Sequence, residues 1–202
     1  MPILYHAPMS RSSTIVSLIR ELGASDVEIR HVSVRRMGGK GGPDASNPHP
    51  EKKAPYLVDG DEKVRERAAI ITYLTDKYPA NGLAPLAGEP GRGAYLSWLA
   101  YYQGVIEPVL VLHATGITNA MTHEAFRDAD TMMATLNAAL EAGPWLMGDR
   151  FTAADLLCSS PFFWFDGLAD GYPALADWVR RCGERPSVQA VAQADALAMP
   201  GR

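Results

Sequence analysis

No run of about 18 apolar residues occurs in the 202 residues, so no membrane-spanning helix is expected. Cysteine is scarce. Cys158 and Cys182 are too few and too isolated for a disulfide framework, and they suit packing roles in a reducing cytoplasm. Residues 1–79 contain no cysteine at all, which argues against thiol exchange through a protein sulfur. The histidines, at 6, 31, 49, 113 and 123, form no pair at i, i+3 or i, i+4, so a helical metal face is absent. His123-Glu124 is not followed by the second histidine of a zincin. No Gly-x-Ser-x-Gly elbow appears, which removes the commonest serine-hydrolase pattern. The opening MPILYHAPMSRSS lacks a charged leader ahead of an apolar core, so no signal peptide is expected.

What is present suits a globular chain of one large or two small domains, since 47% of the residues are apolar. The formal charge of −4 is unevenly spread. Residues 1–79 carry 12 Lys/Arg against 10 Asp/Glu, while residues 80–202 carry 7 against 13. Every lysine lies in the first part. A mildly basic first part suits a small anionic ligand, and the acidic remainder argues against a nucleic-acid groove.

The stretch from Lys53 to Leu74, KAPYLVDGDEKVRERAAIITYL, organises the first part. Ala54-Pro55 precedes a short apolar run, Tyr56-Leu57-Val58. Asp59-Gly60-Asp61 reads as a tight hairpin turn, followed by a strand over roughly Lys63 to Arg65. A helix then opens at Glu66, with Ile70, Ile71, Leu74 and Tyr78 at helical spacing. Proline cannot donate to a β ladder, so Pro55 marks a sheet edge or a special peptide bond.

Upstream, Ile3-Leu4-Tyr5 reads as a buried strand. Ile15, Leu18, Ile19 and Leu22 mark a helix that Gly23 ends. Val27 to Val34 reads as a second strand. The order β-α-β, loop, β-β-α defines a two-layer α/β unit of about 80 residues. Between its halves lies RRMGGKGGPDASNPHPEKK, residues 35–53. Its Gly-rich core at 38–42 lacks the Gly-Lys-Ser/Thr ending of a phosphate loop, and the segment reads as a mobile loop.

Residues 80–90 have the composition of a linker, and residues 91–202 are helical in period. Tyr95, Trp98, Leu99 and Tyr102 mark a long helix that Pro108 bends or ends. Phe126, Ala129, Met133, Leu136 and Leu140 mark a second. A third opens at Thr152-Ala-Ala-Asp155, an acidic capping box with Phe151 and Leu156 placed as its hydrophobic staple. Pro173 to Arg181 and Ser187 to Leu197 complete an all-helical set with no internal repeat.

Ser10, Arg11, Ser12 and Ser13 crowd the start of the first helix. One of the hydroxyls is expected to satisfy an orphan N–H there. The same place suits a thiolate, because helix-end N–H groups and a donating hydroxyl both favour the anion.

The Pro-led hairpin, the Glu at the mouth of the following helix and the serines at the first helix together resemble the cytosolic, bacterial, serine-type glutathione S-transferases. The resemblance runs from Pro2 to the C-terminus. It implies a thioredoxin-like α/β domain over 1–79, a linker over 80–90 and an all-α domain over 91–202. It implies that Ala54-Pro55 is cis and that the Ala54 backbone forms a β edge for the peptide. Lys53, or Lys52, would face the glycine carboxylate, and Glu66 the γ-glutamyl amine. Arg67 stands where the family usually has Ser. Ser10 is the implied thiol partner, with Ser12 and Ser13 as alternates. Tyr5 is a weaker candidate and is expected to pack.

Met9, Tyr101 and Tyr102 are the expected liners of a hydrophobic pocket. The activity implied is conjugation of glutathione, as co-substrate and without a metal, to a small hydrophobic electrophile by a cytoplasmic homodimer serving detoxification. A non-catalytic binding or regulatory protein on the same fold is a second reading. Another glutathione enzyme, a peroxidase, dehalogenase or isomerase, is a third.

Overall fold

The computed structural model describes residues 1–36, 39–165 and 167–199. The chain divides into two compact units, Met1–Asn81 together with the segment from Arg185, and Gly82–Glu184. In the first unit, β1 (Ile3–His6) leads through a loop to α1 (Ser13–Leu22), then to β2 (Glu28–His31). A long connection reaches β3 (Tyr56–Asp59), β4 (Glu62–Arg65) and α2 (Arg67–Lys77). The sheet order is β2-β1-β3-β4, with β1 parallel to β2 and antiparallel to β3. This mixed sheet with its helices is the thioredoxin-like arrangement.

Register explains the two faces. Leu4 stands opposite Leu57, and Tyr5 opposite Tyr56. Side chains alternate along a strand, so Leu4 and Leu57 share one face; both are fully buried, as are Ile15, Leu18, Ile70, Ile71 and Leu74 of the two helices. On the other face Tyr5, Val32 and Tyr56 pack with Ile3, Ala54 and Val58. β3 is an interior strand, so Pro55 does not mark a sheet edge. It precedes the first paired residue, and its bond to Ala54 is cis.

The last helix, α9 (Pro186–Leu197), lies in this first unit and packs along α1. It is helical, as expected of residues 91–202, but groups with the first unit rather than with the helices before it. The reason is polar. Arg185 Nε and Nη2 reach both carboxylate oxygens of Glu21, at 2.8 and 2.6 Å, and Ser187 Oγ donates to the same group. Eight residues further along each helix, Ser13 Oγ donates to Asp195 Oδ2 at 2.5 Å. Eight residues span about 12 Å of helix, so both ends of an antiparallel pair meet in step. Burial pushes the Glu21 carboxyl up, and the bonds from Arg185 and Ser187 outweigh it and hold it below its ordinary range.

The second unit is helical: α3 (Arg92–Tyr101), α4 (Glu107–Thr115), α5 (Ala120–Phe126), α6 (Ala129–Glu141), α7 (Ala153–Ser159) and α8 (Pro173–Gly183). Pro108 neither ends nor breaks the first of these. Residues Tyr102–Ile106 form a π turn, and Pro108 falls in the first turn of α4, where its missing N–H removes least. Phe126 ends the short α5 rather than opening α6, because Arg127 adopts φ +71° between them.

Asp155 is the polar centre of this unit. Its Oδ2 accepts from Thr152 N–H at 2.8 Å and from the Thr152 hydroxyl at 3.0 Å, on the expected capping box. Its Oδ1 accepts from Leu146 N–H and from Trp178 Nε1, both at 2.9 Å. Burial pushes its pKa up, and these bonds offset part of the shift. Asp155→Ala leaves three buried N–H donors without an acceptor. We expect it to lower the stability of this unit by about 3–5 kcal/mol, read by denaturant unfolding. All four tryptophans lie here, so their fluorescence follows it; a loss under about 1 kcal/mol would show that water replaces the carboxylate.

Candidate active site

Strand direction gathers the candidate groups. Because β1 and β3 are antiparallel, the end of β1 and the start of β3 share one edge of the sheet, and β4 ends opposite Tyr56 at that same edge. The loop after β1, the Ala54-Pro55 pair and the Glu66-Arg67 start of α2 therefore emerge at one end. The segment after β2 joins them, since His31 stands beside His6.

The serines separate sharply in this loop. Ser12 is completely buried. Its Oγ lies 2.7 Å from His6 Nδ1, accepts from Ala7 N–H at 3.0 Å, donates to Ala7 O at 3.1 Å and lies 2.8 Å from Ser10 Oγ. Ser13 gives its hydrogen to Asp195. Ser10 is half-buried, and its Oγ accepts from Ser12 N–H at 3.2 Å, the expected service to an orphan donor near the helix start. Tyr5 packs as expected, its hydroxyl 3.4 Å from Arg30 Nη1.

The loop itself is tied from two sides. Met9, at φ +52°, donates its N–H to Asp195 Oδ2 at 2.8 Å. Arg36 caps the carbonyls of Met9 and Pro8 at 2.9 and 2.6 Å. Asp195 thus accepts from Met9, Ser13 and, at 3.0 Å, from His6 Nε2. Burial pushes this carboxyl up, and the bonds from His6, Ser13 and Met9 outweigh it, so its pKa lies below the ordinary value.

At the peptide edge, Lys53 is exposed, while Lys52 Nζ is held by the Asn47 carbonyl at 2.6 Å. Asn47 is fully buried and donates to the Lys53 carbonyl at 2.9 Å. His49, also buried, accepts from Glu51 N–H and stands edge-on to Tyr56 at 5.0 Å. Burial pulls its pKa down. Asp44 accepts from Ser33 N–H and from Ser46. The connection read as mobile is therefore pinned from Asp44 to Lys53, because its short polar side chains close local turns. Gly38 of the Gly-rich run lies outside the described residues. Glu66 occupies the N-cap position of α2 at φ +69°, a region that costs a non-glycine residue energy. Arg67 follows it at 5% exposure.

Tyr101 and Tyr102 belong to the second unit. Tyr102 is core: the residue is 1% exposed and its hydroxyl donates to Glu107 at 2.8 Å. Tyr101 is half-buried, edge-on to Trp98, with the Arg127 guanidinium 5.9 Å from its ring. Among the described residues no group of three or more His, Cys, Asp or Glu is placed to hold a metal, and no helix is long and apolar enough to cross a membrane.

Residues 4–82 match the glutathione S-transferase N-terminal domain and residues 119–181 the C-terminal domain. The chain belongs to the glutathione S-transferase family. Among solved structures, a glutathione transferase from Methylococcus capsulatus superposes with a TM-score of 0.80 at 29% identity, covering 98% of this chain and 100% of that one. A sphingomonad glutathione S-transferase complexed with glutathione gives 0.76 at 28% identity, over 96% and 99%. Among curated proteins, the Escherichia coli disulfide-bond oxidoreductase YfcG is 29% identical over 91% of each chain.

In this glutathione S-transferase chain, sequence reasoning missed His6, Arg36, Asn47 and Asp195. Only the Asn-Pro-His-Pro run at 47–50 carried a local signal, an Asx turn ahead of proline. The Asp195 bonds are testable by acid. A carboxyl depressed by folding contributes stability that is present above its unfolded pKa of about 4 and lost as pH falls through the lower folded value. We expect Asp195→Asn to be less stable than the parent at pH 6–7, with the gap narrowing below about pH 4. Denaturant midpoints across pH 3–7 measure it; a constant gap would show that ionisation of Asp195 is not what stabilises.

Proposed function

We propose that this chain binds glutathione at the shared sheet end and uses Ser10 to stabilise its thiolate for attack on a small hydrophobic electrophile. The observation that carries the reading is the sorting of the serines. Ser12 is sealed inside the protein, and the Ser13 hydrogen is spent on Asp195. Ser10 is the half-exposed hydroxyl that remains at the start of α1. The sphingomonad relative complexed with glutathione supports the ligand.

The rest of the tripeptide falls to the neighbouring groups. The Ala54 backbone beside cis-Pro55 offers a β edge, and Lys53 supplies a cation for the glycine carboxylate. The Glu66 carboxylate takes the γ-glutamyl amine. The N–H at the start of α2, with Arg67, faces the γ-glutamyl carboxylate, where helix-end donors suit an anion. The thiol loses its proton to solvent, and the sulfur lone pair forms the bond to carbon as a leaving group departs with its bonding pair, or as the π pair of an activated alkene shifts and takes a proton from solvent; rate comes from more thiolate and from positioning. Met9, on the loop after β1, remains our candidate for contact with the electrophile. We extend the reading to a cytoplasmic homodimer, on the family resemblance.

A second reading draws on the 29% identity to a disulfide-bond oxidoreductase. Both protein cysteines are fully buried in the second unit, so exchange would run on ligand sulfurs. One glutathione thiolate attacks a substrate disulfide and expels one thiolate, which takes up a proton. A second thiolate attacks the mixed disulfide, giving oxidised glutathione and the second thiol. Parallel assays with an activated aryl halide and with a small dialkyl disulfide separate the two readings; turnover of the disulfide alone would favour the second.

Ser10→Ala tests the residue. Losing one charge-assisted bond, worth roughly 1.5–3 kcal/mol, raises the bound thiol pKa by about one to two units. Thiolate at pH 7 falls about ten- to a hundredfold, while S-methylglutathione, which has no thiol, binds as before. Thiolate absorbance of the complex measures it. A shift in Ser13→Ala without one in Ser10→Ala would move the role to Ser13.

A further inference from the structure

The bonds around Ser10 continue inward as a chain with a defined direction. Asp195 Oδ1 lies 3.0 Å from His6 Nε2, His6 Nδ1 lies 2.7 Å from Ser12 Oγ, and Ser12 Oγ lies 2.8 Å from Ser10 Oγ. His6 and Asp195 are 2% and 4% exposed, and Ser12 is fully buried. The chain starts on α9, crosses the end of β1 and finishes at the hydroxyl placed above against the thiol.

A hydroxyl has one hydrogen to give and two lone pairs to receive. Asp195 takes hydrogens from Met9 and Ser13 on its other oxygen, which suits an ionised carboxylate, so His6 Nε2 must carry a hydrogen toward it. The state of Nδ1 then decides the rest. With a bare Nδ1, the Ser12 hydrogen must point at the ring, at the expense of its bond to the Ala7 carbonyl. Ser12 then receives only from Ala7 N–H, and its second lone pair draws the Ser10 hydrogen inward. With a hydrogen on Nδ1, both Ser12 lone pairs are filled, by His6 and by Ala7. Ser10 can then no longer donate to Ser12, and its hydrogen turns outward.

We propose that Asp195 and His6 act as positioning residues that, through Ser12, turn the Ser10 hydroxyl outward to a bound thiolate, with His6 hydrogen-bearing on both ring nitrogens in that complex. The proposal rests on the assignment of Ser10 to the thiol. The charged and titratable neighbours of His6 are Asp195 from α9 and His31 from β2, whose ring stands edge-on at 5.3 Å. Ser12 from α1 is neutral. Of these, the Asp195 carboxylate is the one in direct hydrogen-bond contact with the ring, at 3.0 Å. A thiolate bound at Ser10 adds a second negative charge at the far end of the chain, so thiolate formation and the outward hydroxyl support each other.

The test has two parts. In protein labelled with ¹⁵N-histidine and saturated with glutathione at pH 7, both His6 ring nitrogens should show N–H-type shifts, assigned by their loss in His6→Gln. A lone-pair-type Nδ1 overturns the proposal, and this arm needs only the unaltered protein if the variant fails to fold. In the second part, thiolate absorbance is titrated in complexes of the parent, Ser10→Ala, His6→Gln and the double variant. His6→Gln should raise the thiol pKa by about one unit, tenfold less thiolate at pH 7, with S-methylglutathione affinity unchanged within about twofold. The double variant should fall well short of the sum of the single shifts, because both act on one hydrogen. A shift in Ser10→Ala with none in His6→Gln, or fully additive shifts, overturns the relay and leaves Ser10 in place. No shift in Ser10→Ala overturns the assignment of Ser10 itself.

Discussion

The site depends on one buried carboxylate. Asp195 gathers a histidine from the end of β1, a backbone N–H from the loop that follows and a serine hydroxyl from the start of α1. Stripped of those donors it would be an unpaired charge in the interior, at a cost of several kcal/mol. Stripped of the carboxylate, the loop would keep Arg36 on its carbonyls but lose what orients its N–H and hydroxyl groups. The same acid therefore joins α9 to the fold and sets the geometry around the serines.

The first unit applies one device repeatedly. Asn47 grips the Lys53 carbonyl, Arg36 grips Pro8 and Met9, and Asp44 closes the loop after β2. Each fastens irregular backbone next to the sheet end, where no ladder of strand bonds is available. Positive φ values at Met9, Lys52 and Glu66 sit in the same loops. Residues held in that region persist only where their surroundings over-determine them, and these surroundings do.

Much of the architecture was legible because it rests on local pattern. The period of Ile15 to Leu22, the Gly23 stop, the Gly60 hairpin and the Thr152–Asp155 box each combine residues within one turn or one helix. Pro55 pointed to its cis bond through the company it keeps. The serine cluster was visible too, but its sorting was not, since Ser10, Ser12 and Ser13 differ only in what surrounds them. Tyr102 was expected to line a pocket and lies in the core, with its hydroxyl on Glu107. His6 and Asp195 carried no pattern at all; they meet each other across 189 positions. The last segment is helical as expected, but its packing on α1 was not legible for the same reason. Helical period says that α9 is a helix and nothing about which sheet it serves.

That placement of α9 has a consequence for synthesis. His6 and Asp195 are 189 positions apart, and the residues between them include an entire second unit. A chain emerging from the ribosome completes β1, α1 and the whole sheet long before Asp195 exists. Closing so distant a contact is entropically the costliest step left. The loop beside the serines must therefore wait, unbraced on that side, while the helical unit is made and folded. The brace on that loop arrives with α9, after the sheet and the helical unit are in place.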